Sequence, residues 1–163
     1  MMRLIAAALL LALSGCATAT SAATEKAYHV MRHLNTPEGE RDPDLTDEGQ
    51  RSAQLLAARF AQNPPTAIYV SSYKRTQQTA APLAARLGIT PKVYDPANTP
   101  ALVQQVRAEP GTVLIVGHSN TVPDIIEQLG GQRPAPLVHA DFGDIWTIRG
   151  TRRTVTRAKL GGS

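Results

Sequence analysis

Three short segments of the chain carry the residues best able to do chemistry. In residues 28–35, YHVMRHLN, Arg32 directly precedes His33, and the segment GHSNT surrounds His118. Arg75 lies in a third, hydroxyl-rich segment, SSYKRTQQTA. A neutral imidazole can attack phosphorus, and guanidinium groups bind phosphoryl oxygens through paired planar donors. If the three segments lie close together, these residue types favour chemistry on a dianionic phosphoryl group.

The apolar pattern predicts an α/β fold that could bring the segments together. Runs typical of strands occupy residues 26–31, 67–72, 92–95 and 112–117, and an edge hairpin is expected from IWTI and TVTRAKL with its turn at 149–151. Helices are expected to begin near Thr46, Lys74, Thr99 and Thr121. Pro82 should kink or split the second of these helices. The alternation predicts a three-layer sandwich, a mostly parallel central sheet flanked by helices.

This topology places the reactive residues at one edge of the sheet. His33 follows the first strand, Ser71 and Ser72 end the second, and His118 follows the wholly apolar run 112–117. Such a run is typical of a central parallel strand covered on both faces. Ligands of open α/β sheets bind outside the carboxyl ends of the strands. The sequence therefore predicts a phosphoryl site at that edge.

Four motifs in order resemble those of the histidine phosphatase superfamily, the phosphoglycerate mutase-like proteins. They are MRH after the first strand, LTDEG at the next helix, SSYKRTQQTA after the second strand and VGHS after a later strand. The resemblance covers roughly residues 27–130, and the short layout is similar to the small phosphohistidine-phosphatase-like members. It implies that His33 is a nucleophile phosphorylated transiently, and that Arg32, Arg75 and His118 bind the phosphoryl oxygens, with no metal or other cofactor.

Further site residues follow from the same resemblance. Ser119 and Asn35 are assigned to phosphate binding, and the polar residues after Ser119 either donate to phosphate or cap a helix. Leu34 stands where the family usually has glycine, which could reshape the pocket entrance. The nearest match to the family's general acid is Asp95, and Asp124 is the second choice. Glu38 and Asp141 stay open as alternatives.

The N-terminus has the pattern of a secretion signal. Residues 1–16, MMRLIAAALLLALSGC, combine a positive residue with an apolar run too short to span a bilayer. LSGC resembles a lipobox, and Cys16 is the one cysteine. We therefore expect a lipoprotein signal peptide at 1–15, a flexible tether at 16–24 and a catalytic domain at 25–163. The alternative is an ordinary cleaved signal with a site near SAA at 21–23.

The expected location is the bacterial cell envelope. Ala17 after the cysteine favours the outer membrane by resemblance, with the domain facing the periplasm. The membrane anchor and a small phosphorylated substrate, such as an envelope component, are the expected partners. Much of the net charge of +4 comes from a basic cluster near the C-terminus. Such a cluster can attract nucleic acid or anionic lipid headgroups, but the low aromatic content of 4% favours a solvated hairpin. Its members are Arg149, Arg152, Arg153, Arg157 and Lys159. The sequence leaves the oligomeric state open.

The main prediction is a metal-independent phosphatase of phosphomonoesters or phosphoramidates, and three other readings compete with it. GHSNT resembles the nucleophile elbow of serine hydrolases, which would make Ser119 the nucleophile, but its fifth position is Thr121 rather than glycine. His29 and His33 have a zinc-like spacing without the glutamate of HExxH. A non-catalytic lipoprotein that binds phosphate or phosphorylated sugars is the third. His29 and His139 are expected to be structural.

Overall fold

Six strands and four helices alternate along residues 26–161, the part of the chain that the computed structural model describes. The strands are β1 (Ala27–Arg32), β2 (Ala67–Ser71), β3 (Lys92–Tyr94), β4 (Val113–Gly117), β5 (Asp144–Arg149) and β6 (Thr154–Lys159). The helices are α1 (Asp47–Arg59), α2 (Lys74–Leu87), α3 (Thr99–Ala108) and α4 (Val122–Gln128). None of these helices has the length and apolar character needed to cross a membrane.

The strands form one sheet in the order β3-β2-β4-β1-β5-β6. β3, β2, β4 and β1 are parallel neighbours, whereas β5 is antiparallel to both β1 and β6. The register sets Arg32, the last residue of β1, beside Gly117, the last residue of β4. The predicted sandwich with a mostly parallel sheet is confirmed, as is the hairpin at its edge.

Two hydrophobic clusters cover the two faces of the sheet. Val113 and Ile115 of β4 point into one cluster with residues of α3 and α4. Leu114 and Val116 point into the other with residues of α1 and α2. All four side chains are fully buried. Because both faces of β4 are covered, its sequence is apolar throughout, and the two layers of helices fix the strand ends in place.

Pro82 does not interrupt α2. The helix runs from Lys74 to Leu87 with the proline inside it, so the expectation of a split helix is wrong. Proline costs the helix one backbone hydrogen bond, to the carbonyl four residues earlier. Ala80 and Leu83 beside it are fully buried in the core. Burial of this face offsets the lost bond, and tertiary packing overrides the local preference.

The start of α1 is joined to the segment that follows His33. Thr46 is the N-cap, as predicted, and its hydroxyl accepts from the backbone N–H of Gly49 at 3.1 Å. The backbone N–H of Thr46 donates to the carbonyl of Asn35 at 2.9 Å. A Cβ on Gly49 would collide with that same carbonyl oxygen. Glycine in LTDEG thus allows the helix to approach the backbone beside the site.

We expect Gly49→Ala to destabilise the protein by about 1–3 kcal/mol, because the added methyl must displace backbone rather than a mobile side chain. Thermal or urea unfolding measures the change. The control Gln54→Ala alters an exposed position on the same helix and should change stability by less than about 0.5 kcal/mol. Equal effects of the two substitutions would contradict the close approach.

Candidate active site

The carboxyl ends of β1, β2 and β4 open into a cavity of about 720 Å³. Its walls include Arg32, His33, Arg75, His118 and Ser119, five residues from three separate segments. The backbone N–H of His33 donates to the carbonyl of Gly117 at 2.9 Å, which joins the ends of two strands. The imidazole centroids of His33 and His118 lie 5.6 Å apart. The structure thus assembles the residues that the sequence placed at this edge.

His33 is held in one tautomer. Its Nδ1 lies 2.9 Å from the carbonyl oxygen of Leu34. A carbonyl only accepts hydrogen bonds, so Nδ1 carries the proton and Nε2 keeps its lone pair. Burial lowers the pKa of His33 to about 3, although the bond to Leu34 opposes the shift, and the charge of Arg32 lowers the pKa further. The imidazole is therefore neutral at ordinary pH, as a nucleophile requires.

Arg32 presents an unpaired donor to the cavity. One terminal nitrogen donates to the carbonyls of Val138 and His139, at 2.7 and 3.0 Å. The guanidinium carbon lies 4.3 Å from the ring centroid of Phe142. Nε is buried and has no hydrogen-bond partner among the described residues. These contacts fix the guanidinium in place and leave its Nε–H group free to donate to a bound ligand.

Arg75 reaches the cavity from the first turn of α2. Its Nη1 lies 3.4 Å from a carboxylate oxygen of Asp42 and donates to the carbonyl of Arg41 at 3.2 Å. Its guanidinium carbon lies 4.3 Å from the centroid of Tyr73. These contacts tie the second cation of the site to the loop between β1 and α1.

His118 is held through a pair of hydroxyls. Its Nε2 lies 2.9 Å from Oγ of Ser71, which lies 2.9 Å from Oγ1 of Thr76. Nδ1 is buried without a partner among the described residues. Burial lowers the pKa of His118 to about 4, and the charges of Arg75 and Arg32 act in the same direction. The site therefore contains a second fixed polar atom that awaits a partner.

The motif SSYKRTQQTA supplies structural contacts that sequence reasoning did not assign. Besides Ser71 and Thr76, the hydroxyl of Thr79 accepts from the backbone N–H of Leu34 at 3.0 Å and donates to the carbonyl of Arg75 at 2.7 Å. One side chain thereby links the His33 segment to the helix that carries Arg75. The run of hydroxyl residues was the available signal, but their partners are distant in sequence.

Leu34 lies away from the cavity. Its side chain is fully buried in the core cluster formed with α1 and α2. Only its backbone serves the site, through the carbonyl that accepts from His33. Leucine in place of the family glycine thus adds core packing and does not reshape the cavity entrance.

Several predicted site residues lie outside the cavity wall. Asn35 contacts the N-cap of α1 through its carbonyl, and Asp95 is exposed and accepts from the backbone N–H of Ala97 at 2.9 Å. Asp124 forms an ion pair with Arg133. Asp141 accepts from the backbone N–H of Val138 at 2.7 Å. Cys16, the predicted lipid-attachment residue, lies outside the described residues.

The carboxylates that do line the cavity are those of Glu38 and Glu40. His139 lines it too, with its Nε2 3.4 Å from a carboxylate oxygen of Glu38. The prediction that His139 is only structural therefore missed part of its position, because the residue forms part of the cavity wall. It lies in an irregular segment that has no periodic pattern and no motif, so the sequence offered no signal for this contact.

The other readings of the two histidine segments find little geometric support. Nε2 of His118 bonds to Ser71, so this ring does not reach Ser119 through that nitrogen. His29 bonds to Thr147 at 2.9 Å, packs against Phe60 and lines a different cavity from His33. Within residues 26–161, no three histidine, cysteine or carboxylate side chains are grouped so that they could hold a metal ion.

Two comparisons with known proteins match parts of the sequence. Residues 27–97 match the model of the histidine phosphatase superfamily (branch 1). A segment is 49% identical over 57 residues to the PE-PGRS family protein PE_PGRS11 of Mycobacterium tuberculosis, and covers 34% of this chain and 10% of that protein.

Solved structures share the fold at low sequence identity. The mycobacterial glucosyl-3-phosphoglycerate phosphatase Rv2419c, in complex with VO3, is 16% identical with a TM-score of 0.64, covering 85% of this chain and all of that one, 100%. The protein histidine phosphatase SixA, in complex with tungstate, is 17% identical with a TM-score of 0.61, covering 81% and 94% of the two chains. YhfR of Bacillus stearothermophilus is 18% identical with a TM-score of 0.63, covering 85% and 98%.

The fold is that of the phosphoglycerate mutase-like proteins. Residues 27–97 are thus similar to the histidine phosphatase superfamily (branch 1), and the fold as a whole is shared with phosphatases of known structure.

The buried histidines predict loss of stability in acid. Burial lowers the pKa values of His29, His33 and His118 to about 4, 3 and 4, against about 6.5 in an unfolded chain. Between pH 6.5 and 4 the unfolded state binds more protons, so the free energy of unfolding falls as pH falls. Each histidine contributes a slope of up to about 1.4 kcal/mol per pH unit.

Urea unfolding across this pH range measures the slope. His29→Gln removes one of the three groups and should reduce the slope by up to about a third. A free energy of unfolding that does not change between pH 6.5 and 4.5 would contradict the neutral, buried state of these rings.

Proposed function

We propose that the protein is a metal-independent phosphatase that hydrolyses phosphomonoesters or phosphoramidates through a phosphohistidine at His33. The observation that carries this proposal is that Arg32 and His118, which line one cavity with His33, each have a buried polar atom without a partner among the described residues, Nε and Nδ1. A buried polar group without a partner costs about 1–3 kcal/mol. A phosphoryl group supplies oxygen acceptors for both atoms, so binding removes that cost.

Nε2 of His33 is the nucleophile in the first step. Its lone pair forms a bond to phosphorus, the bond from phosphorus to the leaving oxygen or nitrogen breaks, and the leaving group takes a proton. Arg32, Arg75 and His118 donate to the phosphoryl oxygens as charge redistributes over them. Water then attacks phosphorus and gives a proton to the carboxylate left by the first step, the bond from phosphorus to Nε2 breaks, and phosphate leaves.

Ser71 sets the proton on His118 during these steps. When its hydroxyl donates to Nε2, the imidazole proton lies on Nδ1, the nitrogen without a partner. Nδ1 then donates to the phosphoryl group. The proton for the leaving group comes from a carboxylic acid, for which Asp95 and Asp124 were the sequence candidates and Glu38 and Glu40 line the cavity.

We further propose that the substrate is small and phosphorylated and that the enzyme works in the cell envelope, anchored through Cys16. Two structural neighbours, Rv2419c and SixA, were solved with VO3 and with tungstate. An oxyanion bound between Arg32 and His118 would supply acceptors for Nε and Nδ1, which have no partner among the described residues. A non-catalytic phosphate-binding lipoprotein is the second candidate, since Asp95 and Asp124 lie outside the cavity wall.

The test is hydrolysis of an aryl phosphate and of a phosphoramidate in the presence of EDTA. We expect turnover by the native chain and by Ser119→Ala, and a loss of at least about 1,000-fold in kcat for His33→Ala, because the nucleophile is removed. Glu38→Gln, Glu40→Gln, Asp95→Asn and Asp124→Asn identify the acid. Each variant is compared on two aryl phosphates whose leaving groups differ in basicity. Only the variant that lacks the general acid should lose far more activity on the ester with the more basic leaving group.

Two outcomes would contradict the proposal. Turnover that disappears with EDTA or with Ser119→Ala would support the metal or serine route. Tight phosphate binding without turnover of either substrate would support the non-catalytic lipoprotein.

We expect Ser71→Ala to lower kcat by about tenfold or more, because Nε2 of His118 loses the group that sets its proton. The neighbouring Ser72→Ala alters an exposed hydroxyl and is the matched control. Ser71→Thr retains the hydroxyl and should recover part of the rate. A full rate in Ser71→Ala, across the pH profile of kcat, would show that Ser71 has no part in positioning His118.

A further inference from the structure

The sheet edge opposite the active site is strongly cationic. Lys26 precedes β1 there, Arg149 ends β5, and Arg152 and Arg153 lie in the turn before β6. We name these four residues the cationic edge. The helices that end on this side add Arg59, Arg86 and Arg107 in their last turns. The cationic edge faces away from the cavity that holds His33, because β1 begins at one and ends at the other.

Carboxylates are concentrated at the other end of the molecule. The loop after β1 and the first turn of α1 contain six of them, Glu38, Glu40, Asp42, Asp44, Asp47 and Glu48. On the cationic side, the described carboxylates are Glu109 and Glu127, and each is paired with a cation, Lys92 and Arg133. The domain therefore has a positive end and a negative end, a distribution that orients it in the field of a charged surface.

Helix termini account for only part of this positive charge. Basic residues in the last turn of a helix interact favourably with its dipole, which explains Arg59, Arg86 and Arg107. Arg149, Arg152 and Arg153 are not on helices, and none forms an ion pair within residues 26–161. Their charges are available to a partner outside the chain.

A second cavity, of about 470 Å³, opens at this edge. Arg149 lies in its wall together with polar residues of the loops before β2 and β4. These are Gln62, Asn63, Thr66 and Thr112. One guanidinium among amide and hydroxyl donors is chemistry suited to a phosphodiester oxygen.

The chain enters the domain at the same edge. Ala27 pairs with Arg149 in the sheet, so the first strand begins beside the cationic turn. Nine residues separate Cys16 from Lys26, and they span at most about 30 Å when fully extended. A lipid anchor at Cys16 would therefore hold the cationic edge within reach of the headgroups.

We propose that the cationic edge docks on the surface of a bilayer that contains anionic phospholipid, a role that rests on the proposed anchoring and not on the proposed phosphatase. Lys and Arg side chains near an anionic surface are attracted to it, and the attraction grows with their number. Docking places the active-site cavity about 20 Å above the headgroups, the length of the parallel strands. The cavity then opens toward soluble substrate rather than toward lipid.

Vesicle co-sedimentation of the full chain tests this surface, with phosphatidylcholine vesicles compared with vesicles that also contain phosphatidylglycerol. The test variant is Arg149→Gln/Arg152→Gln/Arg153→Gln. The control, Arg51→Gln/Lys74→Gln/Lys159→Gln, removes the same charge away from the cationic edge. The native chain and both triple variants have the same N-terminal segment. Any difference in their vesicle binding therefore comes from the substituted residues of the domain.

We expect the native chain and the control to bind phosphatidylglycerol vesicles at least about tenfold more tightly than neutral ones, and the test variant to lose that preference. Added salt should weaken the native preference. The test variant should keep its aryl phosphatase rate and its unfolding temperature, so a failure of docking is separate from a failure of the phosphatase.

Three results would overturn the docking surface. They are equal binding of the native chain to both kinds of vesicle, equal loss in the two triple variants, and tighter binding through the same three arginines to a DNA oligonucleotide than to the anionic vesicles.

Discussion

The parallel pairing of β1, β2 and β4 is the constraint on which the site depends. It ends three strands at one level, so that the residues after them converge although they are distant in sequence. The bond from the N–H of His33 to the carbonyl of Gly117 continues this pairing beyond the strands. The two core clusters hold the strands from both faces. Positions of the reactive groups are thereby fixed before any substrate binds.

This rigidity explains how the site can keep buried polar groups that have no hydrogen-bond partner. Arg32 and His118 each have one buried nitrogen without a partner within residues 26–161. Burial also keeps His33 and His118 from taking up protons at ordinary pH. An unbound site arranged in this way is destabilising. In the proposed function an anion supplies the missing acceptors and recovers this cost, as preorganised electrostatics does for a charged transition state.

Much of the fold could be predicted from the sequence because its strands and helices depend on residues that are close together along the chain. The apolar run of β4 and the cap at Thr46 each depend on neighbours along the chain. The contacts of Ser71 with His118, and of Glu38 with His139, depend on distant segments and have no periodic signature. Leu34 shows the same limit, since the motif marked its position but not the direction of its side chain. Pro82 does not split α2, because core packing outweighs one missing hydrogen bond.

The central claim is that His33 carries the phosphoryl group, and trapping that intermediate tests it most directly. The native chain would be mixed with an aryl phosphate, quenched in alkali, digested and examined by mass spectrometry under conditions that preserve phosphohistidine. The account predicts one phosphoryl group on the peptide that contains His33, stable to base, lost in acid and absent from His33→Ala. A label on the peptide of Ser119 or on another histidine, or rapid turnover with no labelled enzyme at any time, would contradict it.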